Sequence, residues 1–252
     1  MYRDLKNKNL IITGGSGFLG KQIIEAFENV GSKIIVLDIN KPKKIGNFDY
    51  YKCDITNELL VKSISKKILK KYKKVDILIN NAASDYIPNK KNKDFSLENL
   101  NLNIWKKDLD VGLNGSFICT KIFGTLMSLR KKGVILNISS DLSIIAPNQD
   151  LYKGLNFIKP ASYSVVKHGL NGLTKYTAAY WADKNIRCNA IAPGGIFNNQ
   201  DKSFLNRIKR VIPLKRLARK HEYNNLILFL CSESSSYMTG SIVTADGGRT
   251  II

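Results

Sequence analysis

The chain has 252 residues, 44% of them hydrophobic, with a formal charge of +20, which suits one large α/β domain with a buried core. No apolar run approaches the roughly 18 residues of a membrane helix, and the polar start Met1-Tyr-Arg-Asp runs into an apolar strand, so neither a span nor a signal peptide is expected. Cys53, Cys119, Cys188 and Cys231 form no CxxC and no Cys/His cluster, which points to reduced thiols in a cytoplasmic protein without a metal site.

Along the chain, Asn9–Thr13 reads as a first strand and 18–30 as a helix. Between them lies Thr13-Gly-Gly-Ser-Gly-Phe-Leu-Gly20, with Gly14, Gly17 and Gly20 spaced by three. Glycines there permit a tight turn and close backbone approach to a pyrophosphate facing the helix N-terminus, and Leu19 lies in the same loop. Lys33–Asp38 is a second strand, and Asp38 ends it 18 residues after Gly20. A carboxylate there accepts ribose hydroxyls and repels a 2′-phosphate, which favours NAD. Lys41 and Lys43 keep NADP as the alternative, because a nearby cation could hold the phosphate.

Tyr50–Cys53 is a short third strand, 57–73 a helix with Leu60, Ile64 and Ile68 along one side, and Val75–Asn80 a fourth strand. A long helix over 103–130 precedes a fifth strand at Gly133–Ser139. A helix follows over 161–183, then a sixth strand at Ile186–Ala192, a helix over 221–232 and a last strand at Ser241–Ala245. Short β-branched strands separated by helices imply a Rossmann-type, doubly wound parallel sheet, with 1–252 as one domain. The least regular stretches, 84–101, 141–160 and 194–215, all follow strand ends, where open α/β sheets bind ligands.

Tyr163 and Lys167 lie four residues apart on the 161–183 helix, so their side chains share a face. A phenol titrates near pH 10, too high for a base at neutral pH, and an adjacent ammonium stabilises the phenolate. The pair can move a proton on or off an alcohol.

Lysine runs such as Lys41-Pro-Lys-Lys44, Lys66-Lys67, Lys70-Lys71 and Lys90-Lys91 read as solvated helix faces. A second reading is attraction of an anionic small-molecule substrate: a sugar phosphate, a nucleotide-sugar or an acyl carrier. No nucleic-acid motif accompanies the lysines, so nucleic acid is not the expected partner.

With these residues the chain resembles the short-chain dehydrogenase/reductase family, essentially end to end. Beyond the glycine loop and Tyr163-xxx-Lys167, the likeness rests on Cys53-Asp-Ile55, Asn80-Asn-Ala-Ala83, Asn114, Asn137-Ile-Ser-Ser140, Asn189-Ala-Ile-Ala-Pro-Gly194 and Asp246-Gly-Gly248. The length and the Asp-Gly-Gly ending suit the shorter branch. The resemblance implies that Asp54 and Ile55 edge the adenine, that Asn81 and Ala82 line the cofactor crevice, and that Pro193 and Ile196 flank the nicotinamide. It implies that Tyr163 exchanges the proton, Lys167 holds the nicotinamide ribose, Ser140 bonds the reacting oxygen (Ser139 being the fallback), and Asn114 anchors a water linking Lys167 to solvent. It also implies a homodimer or homotetramer built on the long helix and the Tyr/Lys helix.

Ser140 and Tyr163 are 23 residues apart, about ten more than the family pattern implies, and a long loop beside a site is more often functional than structural. The insertion carries Gln149, Asp150, Tyr152 and Lys153 and resembles that of dehydrogenases of bacterial surface-sugar or flagellin-modification pathways. The expected activity is hydride exchange between nicotinamide and a secondary alcohol or ketone on a polar, sugar-like substrate. The rivals are an NADP-linked 3-oxoacyl-carrier reductase and a catalytically silent dinucleotide-binding protein; the intact Ser140, Tyr163, Lys167 and Asn114 argue against the silent protein.

Overall fold

Strands that are apolar at every position are stable only in a sheet covered on both faces. In a computed structural model, described for residues 2–42, 46–84, 86 and 95–252, seven strands form that sheet. They are β1 (Asn9–Thr13), β2 (Lys33–Asp38), β3 (Phe48–Lys52), β4 (Ile77–Asn80), β5 (Gly133–Ile138), β6 (Ile186–Pro193) and β7 (Ile242–Ala245), all parallel, in the order β3-β2-β1-β4-β5-β6-β7. The helices are α1 (Phe18–Asn29), α2 (Glu58–Tyr72), α3 (Leu102–Leu109), α4 (Gly115–Ser128), α5 (Ala161–Tyr180), α6 (Lys202–Ile208) and α7 (Asn224–Cys231). Of the residues read from the sequence, Lys43, Lys44, Lys90 and Lys91 lie outside the described ones.

The pleat divides the core. Leu10, Ile12, Ile34 and Val36 pack with Ile23 and Phe27 of α1 and Ile227 and Leu230 of α7. Ile11, Ile35 and Leu37 turn to the other face, against Val61 and Ile68 of α2 and Cys119 and Phe123 of α4. On α2 the lysines Lys62, Lys66, Lys67 and Lys70 are exposed, opposite buried Val61, Ile64 and Ile68, so that lysine run is a solvated face.

Chain direction across the sheet reverses at β1, which pairs with both β2 and β4 and leaves a crevice at the strands' C-terminal ends. Below it, a buried polar chain fixes the layers. Asn80 Nδ2 donates to Thr120 Oγ1 (3.0 Å) and Asn137 Oδ1 (2.8 Å), and Asn137 Nδ2 donates to Thr174 Oγ1 (2.8 Å), tying β4 and β5 to α4 and α5.

Several elements differ from expectation. The third strand begins two residues earlier, at Phe48. The long helix is broken into α3 and α4 by a π-helical turn, Asp110–Asn114. The Tyr/Lys helix ends at Tyr180, followed by a 3-10 turn, Ala182–Lys184. The 194–215 stretch contains α6, capped by Asp201, whose carboxylate accepts the Ser203 amide (2.7 Å).

All four cysteines are free and buried. Burial pushes the Cys53 and Cys231 thiols up to about 12 and those of Cys119 and Cys188 higher still, so they pack as apolar side chains. No helix among the described residues is long and apolar enough to cross a membrane.

Candidate active site

A cleft of about 1300 Å³ opens on the strands' C-terminal ends, more than one drug-sized ligand needs. At one end lies the glycine loop. Gly14 takes a positive φ of 66°, and a Cβ there would stand 2.8 Å from the Ala82 backbone. A Cβ on Gly20 would overlap the Gly14 carbonyl and lie 2.8 Å from Gly15 Cα. The chain thus keeps a bare backbone where α1 begins, a cradle suited to a pyrophosphate. Thr13 Oγ1, which the sequence did not single out, accepts the Asn81 and Ala82 amides (both 3.1 Å), and Asn81 Nδ2 donates to Gly14 O (2.9 Å). These bonds lock the loop after β4 onto the loop after β1.

Asp38 ends β2 with both carboxylate oxygens directed by backbone: Oδ2 accepts the Ser16 amide and Oδ1 the Asn40 amide, each at 2.9 Å. Asp54 accepts the Thr56 amide (3.0 Å) and Ile55 is buried against Gly115, on the same wall as Asp38. Across the sheet, Gly194 lets the ends of β6 and β7 close, since its Cβ would meet Asp246 Cα at 2.8 Å. Pro193 and Ile196 then line the cleft. The Ile196 carbonyl accepts Gln200 Nε2 (2.7 Å).

At the other end, Lys167 is buried on α5 and its Nζ donates to Ile138 O (2.8 Å) and lies 5.6 Å from the centre of the Tyr163 ring. Both residues line the cleft with Ser140. Ser139 Oγ bonds the Lys167 carbonyl (3.1 Å) and Asn171 Oδ1 (2.9 Å), fastening β5 to α5. Ser140 Oγ instead donates to Asp141 Oδ1 (3.0 Å) and accepts the Leu142 amide (3.2 Å). Asp141 is itself clamped by Arg249 Nη1 at 2.7 Å, and both members of this ion pair are buried. Asp246 holds Arg249 in place by accepting the Gly248 (2.9 Å) and Thr250 (2.6 Å) amides. No motif announces this pair, whose members lie 108 residues apart.

Residues 85 and 87–94 of the first irregular stretch lie outside the described ones, and its described residues Tyr86 and Phe95 meet the other two stretches beside the cleft. Ring contacts run from Tyr86 to Phe95 (4.7 Å between centroids), Phe95 to Phe157 (6.0 Å), Phe157 to Tyr152 (5.0 Å) and Tyr152 to Phe204 of α6 (5.3 Å). The insertion is closed on itself by Gln149, whose amide donates to Lys159 O (3.0 Å) and accepts from Lys159 N (3.1 Å).

Every site residue read from the sequence lines this cleft except Asn114. Asn114 is exposed, and its amide donates to Asp110 Oδ1 (2.8 Å). Gly112 and Leu113 of that turn pack on α5: a Cβ on Gly112 would stand 2.5 Å from Val166 Cγ1, and one on Gly169 2.9 Å from Leu113 Cδ2. The Asn114 side chain is therefore held on the preceding turn and outside the cleft lining. Asn114→Ala is accordingly expected to keep kcat/KM within about twofold of wild type, the small effect of a surface substitution; a loss beyond about tenfold in steady-state assays would contradict the placement.

A parallel sheet, a bare-backbone turn at a helix N-terminus and a Tyr/Lys pair on one crevice define an oxidoreductase of the nicotinamide-dinucleotide class. The chain belongs to the short-chain dehydrogenase/reductase family, whose dehydrogenases act on alcohol and ketone groups. A family profile described as enoyl-(acyl carrier protein) reductase matches residues 16–250. The 3-oxoacyl-[acyl-carrier-protein] reductase FabG of Thermotoga maritima is 30% identical over 262 residues, covering 98% of this chain and 99% of that protein. A short-chain dehydrogenase from Leptospira borgpetersenii, solved with bound NAD+, superposes with a TM-score of 0.87 at 31% identity, over 99% of this chain and 96% of that one. The ligand-free aldohexose dehydrogenase of Thermoplasma acidophilum superposes with a TM-score of 0.86 at 28% identity, over 100% and 98% of the two chains.

Proposed function

We propose that the chain interconverts a secondary alcohol and a ketone on a polar, sugar-like substrate with NAD as cofactor. The observation that carries this reading is that Tyr163, Lys167 and Ser140 open on the same cleft as the glycine loop and Asp38. Gly14, Gly17, Leu19 and Gly20 would hold the pyrophosphate, Asp38 the adenosine ribose, Asp54 and Ile55 the adenine edge, Asn81 and Ala82 the crevice wall, and Pro193 and Ile196 the nicotinamide. A bound nicotinamide supplies the hydride chemistry. Tyr163 Oη takes the alcohol proton, or returns it to the ketone oxygen. Lys167 holds the nicotinamide ribose, and its charge favours the phenolate. Ser140 turns its proton from Asp141 to the reacting oxygen as charge develops there.

The sugar-like substrate is supported by the polar groups of the substrate side, among them Asp141, Lys159, Gln200 and Arg249, and by the aldohexose dehydrogenase likeness. An acyl-carrier substrate is favoured by the +20 charge and the FabG likeness. Steady-state rates with NAD and NADP, each against aldoses, polyols and 3-oxoacyl thioesters, decide between them. NAD is expected to be preferred by at least about tenfold, about 1.4 kcal/mol, because Asp38 opposes a 2′-phosphate. Preference for NADP and a 3-oxoacyl thioester would overturn the sugar reading. We also read the exposed apolar residues of α4 and α5, among them Phe117, Val165, Tyr176 and Tyr180, as the face of a homodimer or homotetramer, and the free thiols as those of a cytoplasmic protein.

A further inference from the structure

We propose that Lys159 is a positioning residue for Tyr163: the insertion holds its ammonium on the face of the phenol ring, where it favours the phenolate and extends turnover to lower pH. The inference rests on the reading of Tyr163 as the acid/base group.

Lys159 Nζ lies 3.9 Å from the centre of the Tyr163 ring, closer than Lys167 Nζ at 5.6 Å. The residue is 9% exposed and lines the cleft. A cation over an aromatic face is worth most when desolvated, and its attraction grows when the ring carries a negative charge. Lys159 precedes α5, so helix geometry does not place it. The Gln149 amide does, with one bond to each side of the Lys159 backbone, and Pro160 then leads into the helix.

Among the described residues, the other charged groups near Tyr163 are held as follows. Lys167 acts in the same direction from α5. Asp141, on the turn after β5, is neutralised by Arg249. Asp108 of α3 is buried beside Ser162, accepting the Ser162 and Tyr86 hydroxyls. Lys106, Lys107 and Asp110 line the cleft from α3 and the π turn with their residues exposed to solvent. The Asp201 carboxylate is bound to the first turn of α6.

The test compares pH profiles of kcat/KM for wild type, Lys159→Met and Lys159→Arg. In Lys159→Met the acid limb is expected to move up by about one pH unit, the size of shift that removing one nearby cation produces in an ionisable group. The loss is then about tenfold on the acid side and shrinks as pH rises, and Lys159→Arg restores the wild-type limb. A Lys159→Met profile that superposes on wild type, or falls by the same factor at every pH, overturns the proposal. If Lys159→Met does not fold, Gln149→Leu carries the test, with a smaller shift of the same sign expected and an unshifted limb counting against it. Tyr163→Phe separates the two claims: wild-type turnover there removes the acid/base reading and this inference with it, whereas an inactive Tyr163→Phe beside an unshifted Lys159→Met removes this inference alone.

Discussion

Replacing Tyr163 by phenylalanine is expected to lower kcat/KM by about 10²–10⁴-fold, the range for removing a positioned acid/base group. The substitution deletes one oxygen from a ring that keeps its place on α5, with the Lys159 ammonium on its face and Lys167 one turn further along the helix. The glycine loop and Asp38 are untouched, so NADH binding, followed by fluorescence titration, is expected to stay within about twofold. A fall in kcat with little change in cofactor affinity marks the phenol as a proton carrier; turnover within about threefold of wild type would reject that role.

Arg249→Met has the second large effect, and its first readout is stability. Asp141 lies 3% exposed with Arg249 against one carboxylate oxygen and Ser140 and Leu142 against the other. Removing the guanidinium leaves that carboxylate buried without its countercharge, at a cost of about 3–5 kcal/mol. For a chain of this size the melting temperature should fall by roughly 6–20 °C. Turnover should fall as well, because Asp141 is the acceptor that orients the Ser140 hydroxyl. Adding Asp141→Asn to Arg249→Met removes the stranded charge and should recover most of the stability, as read by urea unfolding. A single variant as stable as wild type would mean that the pair contributes nothing.

The sequence made the sheet legible because buried parallel strands leave an unambiguous trace. Lys33–Asp38 was bounded correctly, since an unbroken run of large apolar residues ends there on a polar one. The glycine loop and the Tyr/Lys pair were legible because their spacing is local and their chemistry needs particular residue types. The direction of the Asn114 side chain is not legible from spacing, because a π turn that no residue type announces shifts the helical phase between α3 and α4. The Asp141–Arg249 clamp was hidden for a different reason. It joins the turn after β5 to the last 3-10 turn of the chain, and only the closed sheet brings the two together. Lys159 has no motif at all. Its importance arises from a side-chain amide ten residues away, a pairing that neither periodicity nor composition encodes.

That Gln149 amide bears on how such an enzyme can diversify. By bonding both the N–H and the C=O of Lys159 it staples the base of the insertion as a neighbouring strand would, just before α5 begins. Lengthening a closed loop is inexpensive, about 0.6 kcal/mol for each doubling. The exposed Lys153, Gly154 and Asn156 are therefore where the loop can change in length and side chain, while buried Leu151 and Phe157, the stem, Pro160 and the start of α5 stay in register.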